Sequence, residues 1–106
     1  MEYSEQLIQQ VWEKARAFSE ISSDMWREDE CGAWISRLDY GKTDSEFGWK
    51  IVKVEVGAPD TPEVLRPFHW RNDYDVAAHK AKRHVVADRT DFPVFEHTFE
   101  PHNRRL

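Results

Sequence analysis

Leu65-Arg66-Pro67-Phe68-His69-Trp70-Arg71-Asn72 changes character at its centre. Pro67 locks its own φ and pushes Arg66 out of the helical region, so Val64 to Phe68 reads as a short extended piece. From Trp70 onward the pattern turns helical. Trp70, Tyr74, Ala77, Ala78, Ala81 and Val85 recur at spacings of three and four and share one stripe, with Arg71, Asp75, Lys82 and Arg83 outside it. The spacing predicts a helix over 70–85.

Upstream, Trp49 to Val56 alternates Trp49, Ile51, Lys53 and Glu55 with Lys50, Val52, Val54 and Val56. The second set carries three valines and is expected to face inward. Gly57-Ala58-Pro59-Asp60-Thr61-Pro62 is a loop by composition. Ala33 to Arg37 reads as a strand and Asp39 to Lys42 as a turn, while Asp24 to Glu30 is expected to form a turn or short helix. At the start, Ser4 can cap a helix, Tyr3 and Ile8 occupy staple positions, and Leu7, Ile8, Val11, Trp12 and Ala15 recur at helical spacing. Downstream, Phe92 to Phe99 has strand character, with Pro93 marking an edge or a start, and Pro101 to Leu106 is expected to fray. These elements predict an α+β fold that opens with a helix.

A chain of 106 residues, 40% of them hydrophobic and five of them tryptophan, accommodates one domain with a modest core. The net charge of −5 is unevenly spread. Residues 1–62 hold thirteen acids against seven Lys or Arg, whereas residues 63–106 hold seven against eight, together with all five histidines. That balance argues against a non-specific nucleic-acid binder, although a local basic patch in the second part stays open. Cys31, the single cysteine, excludes an internal disulfide and a multi-cysteine zinc site, and a buried structural thiol in a reducing compartment is expected. No apolar run approaches the roughly 20 residues of a membrane span. Met1 to Glu5 lacks a signal-peptide pattern, so a cytoplasmic protein without a membrane partner is expected.

Several runs together resemble a bacterial and phage family of small HNH-type proteins. They are Val11-Trp12-Glu13-Lys14, Met25-Trp26-Arg27, Asp29-Glu30-Cys31-Gly32-Ala33-Trp34-Ile35, Tyr40-Gly41, Ser45-Glu46-Phe47-Gly48-Trp49 and Leu65 to Asn72. The resemblance covers about residues 11 to 74. It implies a single domain, 1–106, with a ββα metal-clasping (His-Me finger-like) core over about 11–86 and a C-terminal extension or added strand over 87–106. In such a core a histidine activates water, a neighbouring aspartate and a helix-start residue hold one divalent metal, and an asparagine orients the base.

The chain departs from that pattern. Val52-Lys53 stands where Asp-His is expected, and Val64 stands for the orienting asparagine. Neither valine can ligate a metal or accept a proton, and a lysine is a poor base unless burial lowers its pKa. Asn72 and Asp73 remain as a vestigial metal pair, or as residues that cap the expected helix. Lys53, Arg66, Arg71, Lys80, Lys82 and Arg83 are the candidate contacts to nucleic acid or to a partner, with a solvated basic face as the plain alternative. The first expectation is a catalytically degenerate protein that acts by binding a protein, in a nucleic-acid-processing or phage-defence setting. The second is a metal-dependent endonuclease (Mg, Mn, Ni or Zn) rebuilt from Asp73, His69, Glu55 or His79. The third is nucleic-acid binding without cleavage. Under the first and third no catalytic residue and no cofactor is expected.

Overall fold

The computed structural model describes residues 3–89 and 101–106. The strand expected over Phe92 to Phe99 lies outside the described residues. Helix α1, Glu5–Trp12, begins where the sequence places it: the Ser4 side chain accepts a hydrogen bond from the Leu7 N–H at 3.1 Å. Its apolar stripe is buried, Ile8, Val11 and Trp12 being nearly inaccessible, with Tyr3 and Leu7 packed at the margin.

The described strands form four antiparallel pairs. Strand β1 (Trp26–Glu28) pairs with β2 (Trp34–Ser36), so part of the acidic segment expected to be a turn or short helix is extended. Strand β3 (Trp49–Lys53) pairs with β4 (Leu65–His69), Trp49 standing opposite His69 and Lys53 opposite Leu65. The inward face of β3 is the reverse of the expectation. Trp49 is fully buried, 5.4 Å from the Trp12 ring, and Ile51 packs behind it, whereas Val52 and Val54 are half-buried and Val56 is 82% exposed. One indole removes more apolar area from water than a valine, so Trp49 sets which face turns in.

The helix expected over 70–85 is not formed. Asp73–Asp75 is strand β5 and pairs with β6, Lys80–Lys82. The same residues carry a second period: Asp73-Tyr74-Asp75 and Lys80-Ala81-Lys82 alternate, and pairing sets Asp73 opposite Lys82 and Asp75 opposite Lys80. At the turn the Asp75 side chain accepts from the Ala78 N–H at 3.1 Å, and His79 adopts φ 54°. A left-handed residue there cannot continue a right-handed helix. Of the stripe residues, Val85 is buried as part of the next strand, and Tyr74 packs on Phe68, 6.3 Å between ring centres.

Strand β7 (Val85–Ala87) pairs with β8 (Asn103–Arg105), so this part of the C-terminal segment is an added strand and not a frayed end. The result is a mixed α+β fold with one α-helix among the described residues. A ββα core requires a helix after β4, and a hairpin occupies that place. No described helix is long and apolar enough to cross a membrane.

Candidate functional site

Asp29 and Asn72 tie these pairs together. Both are fully buried. In the hairpin loop after β1, Asp29 Oδ1 accepts from the amides of Cys31 (3.0 Å) and Ala33 (2.9 Å). Its Oδ2 accepts from the His69 amide (2.9 Å) and from Asn72 Nδ2 (3.0 Å). Asn72 Nδ2 also donates to the Val85 carbonyl (3.0 Å), while its Oδ1 accepts from the amides of His84 (2.7 Å) and Val85 (2.9 Å). Asn72 thus uses two donors and two acceptor positions, its full capacity. Cys31 lies in the same loop, buried, and desolvation together with the nearby Asp29 and Glu30 pushes its thiol up to about 12.

His69 is similarly engaged. The Glu46 carbonyl can only accept, so the 2.7 Å contact fixes the proton on Nε2. Nδ1 then accepts from the Arg71 amide at 3.0 Å. Burial lowers the pKa of this ring, in keeping with a neutral imidazole whose two nitrogens are both occupied.

The next residue floors a groove. Trp70 Nε1 donates to the Ser45 carbonyl at 2.8 Å, and Arg71 lies over the indole, 4.2 Å from its centre. The loop Thr43–Gly48 forms one wall, held by the Trp70 and His69 contacts and by Asn103 Nδ2, which reaches the Glu46 carbonyl at 2.9 Å. Strand β8 forms the other. Two adjoining hollows of about 330 and 370 Å³ share Trp70, Arg71, Val85 and Arg105. Arg104 and Asp44 border the first, and His84 and Leu106 the second. Arg71, Arg104 and Arg105 are exposed, and none forms an ion pair among the described residues.

Of the six basic residues singled out in the sequence, only Arg71 borders this groove. Lys53 Nζ is held by its own connecting loop, 2.8 Å from the Ala58 carbonyl and 2.7 Å from Asp60. Arg66 pairs with Glu30 at 3.1 Å and covers the Tyr74 ring. Lys80 and Lys82 stand across the hairpin from Asp75 and Asp73, and Arg83 is exposed beyond it. A further hollow near Arg66 is bordered by Lys14, whose ammonium donates to the carbonyls of Pro62 and Leu65 (2.6 Å to the latter). Burial and the Arg66 charge lower its pKa.

Asn72 and Asp73 do not fit a shared divalent metal. The Asn72 oxygen already accepts two amides, whereas Asp73 faces solvent, accepts from the Tyr74 amide (2.8 Å) and lies 4.0 Å from Lys50. Among the described residues no group of three or more His, Cys, Asp or Glu is placed to hold a metal ion. Glu55 lies in the β3–β4 connection and His79 in the β5–β6 turn, both exposed, while His69 is buried. The sequence reading missed Asp29, Asn103, Arg104 and Arg105. An Asp three residues before Gly32 is a recognisable side-chain turn signal, and the Arg104-Arg105 pair was visible as adjacent charge. No family model matches the chain, and no curated protein or solved structure matches it either.

Proposed function

We propose that this protein is a binding module for another protein, with the groove between the Thr43–Gly48 loop and β8 as its working surface. The observation that carries the reading is the set of three exposed arginines around Trp70, free of acid partners among the described residues in a chain of net charge −5. A guanidinium offers a planar fork for carboxylates or phosphates, and an arginine without an internal partner keeps that fork available. The likeness to HNH-type proteins, and with it a nucleic-acid-processing or phage-defence setting, belongs to the same proposal as a degenerate relationship. What supports the degenerate part of that reading is chemical: Val52 and Val64 cannot do the work of the residues they stand for, Lys53 is held by Asp60, and Asn72 is saturated.

Two assays on the whole chain test this reading. Plasmid is incubated with the protein in magnesium, manganese or nickel, and labelled duplex and single strands are titrated at low salt. The expected result is neither nicking nor a shifted band. Nicking abolished by Asp73→Ala would overturn the proposal in favour of a rebuilt hydrolase. A shift that weakens steeply with salt would overturn it in favour of nucleic-acid binding.

A further inference from the structure

On one side β8 has no strand partner among the described residues, and the hydrogen bonds beyond the strand ends identify that side. Leu106 N–H donates to the His84 carbonyl at 2.9 Å, and Asp88 N–H donates to the His102 carbonyl at 2.7 Å. In an antiparallel ladder, bonded and non-bonded pairs alternate. With Val86 opposite Arg104, the bonded pairs are His84 with Leu106, Val86 with Arg104 and Asp88 with His102. Asn103 and Arg105 therefore turn their amides away from β7. The contacts of β7 obey the same alternation: Val85 gives its N–H and C=O to Asn72, and the Ala87 N–H goes to the Gly32 carbonyl.

On the outer side of β8 the Asn103 N–H is already taken by a carboxylate, Glu46 Oε2, at 2.7 Å. The next outward amide is that of Arg105, whose N–H and C=O have no backbone partner among the described residues. An edge that already receives one carboxylate at Asn103 is followed by an open register at Arg105, with Arg71 beside it across the shared groove.

Resting on the binding-module reading, we propose that the groove accepts an extended acidic peptide segment of a partner protein. The segment adds as a strand to the outer edge of β8 and sets its carboxylates against Arg71 and Arg105. Two adjoining hollows suit an extended segment better than a compact anion, and main-chain bonds at a sheet edge supply affinity while side-chain pockets supply selectivity. Asp44 and Glu46 border the first hollow, but the second, lined by Arg71 and Arg105, holds no acid among the described residues, so charge complementarity there selects acid over base. A nucleic-acid strand is disfavoured because Arg71 already covers the Trp70 ring, which a stacked base would have to displace.

The test is an NMR titration of the isotopically labelled whole protein. The probe is a short end-blocked peptide of alternating valine and glutamate. The comparison probes are its glutamine analogue, an analogue N-methylated on the edge-pairing amides, and a thymidine oligonucleotide. The expected result is a saturable shift of the Arg105 amide at micromolar peptide. Both peptide analogues should bind at least about tenfold more weakly, as should the parent peptide to Arg105→Glu or Arg71→Ala protein. Both residues are exposed, so a preserved amide spectrum separates lost binding from lost folding. The proposal is overturned by no shift up to about 1 mM peptide, by equal binding of either analogue, or by tighter binding of the oligonucleotide. It is also overturned by concentration-dependent shifts at the same amides without peptide, which would assign the edge to a second copy of the chain. A negative peptide result with no nicking and no nucleic-acid binding leaves the binding-module reading standing.

Discussion

Asp29 Oδ2 and Asn72 Nδ2 meet at 3.0 Å across 43 residues of chain, both side chains fully buried. Through this one contact the β1–β2 hairpin, the end of β4 and the start of β7 share a hydrogen-bond network. Removing one partner of a buried, satisfied pair leaves the other groups desolvated and unpaired. Asn72→Ala is therefore expected to cost about 3 kcal/mol or more in urea denaturation. Asn72→Asp, almost the same size, should do no better, because it loses both amide donors and sets two carboxylates face to face. If Asn72→Asp were instead neutral, or stabilised by added magnesium, the structural role of Asn72 would be wrong.

Gly48 carries the same logic to the groove wall. A Cβ there would lie 1.7 Å from the Lys42 carbonyl oxygen and 3.0 Å from Trp70 Cδ1, so backbone has to move. Gly48→Ala is expected to destabilise by about 2–3 kcal/mol and to shift the NMR resonance of the Trp70 indole N–H, which donates to the Ser45 carbonyl. Gly57, at φ +81° with open space around it, supplies the control. Gly57→Ala should cost only about 1 kcal/mol of backbone strain and leave Trp70 undisturbed. Equal losses in the two variants would mean that the wall around Gly48 is looser than described.

What the sequence revealed was what neighbouring residues decide among themselves. Ser4 and the stripe Ile8, Val11, Trp12 signal α1 within three turns of chain, and Pro67 marks β4 by its own geometry. Asp29 signals a turn by its place three residues before Gly32, but its wider role is hidden because its partners His69 and Asn72 lie 40 and 43 residues away. Residues 70–85 differ for another reason: two periods coexist there, and the cross-strand charge pairs with the left-handed turn at His79 fit the period of two. Arg104 and Arg105 lie in the segment Pro101 to Leu106 that is expected to fray, yet pairing with β7 makes them a groove wall.

His79 offers a direct test of that choice. Its φ of 54° is unfavourable for a residue bearing a Cβ, and glycine removes the penalty. His79→Gly is expected to stabilise by about 0.5 kcal/mol, the relief being partly offset by the greater entropy of the unfolded chain. Were residues 70–85 a helix, the same change would destabilise by about 1 kcal/mol. Thermal or urea unfolding of the two proteins therefore decides the matter by the sign of the difference.

The Cys31 thiol, 5% exposed and with its pKa pushed up to about 12, holds almost no thiolate at pH 8. Native protein is expected to resist a disulfide-exchange reagent for as long as the hairpin stays closed, and to react at once in urea. The reaction rate below the unfolding transition should rise with denaturant as opening becomes more frequent. Fast labelling of the native protein would show that the Asp29 loop opens without global unfolding.

His69 links the groove to pH. Its ordinary value is 6.5, and burial lowers it in the folded protein, so between the lowered value and 6.5 the unfolded chain binds the proton and the folded one does not. The stability supplied by the neutral ring is thus fully present above about pH 6.5. It declines as pH falls through that window, with a limiting slope of about 1.4 kcal/mol per pH unit, and levels off once the folded ring protonates. Glu28 works in the opposite sense: burial raises it from 4.5, so its contribution is present at low pH and fades as pH rises through the raised value. A wild-type minus His69→Gln difference curve, taken by urea denaturation from pH 8 to about pH 4, isolates the histidine. A difference that is flat across that range would mean that His69 is not held neutral between the Glu46 carbonyl and the Arg71 amide.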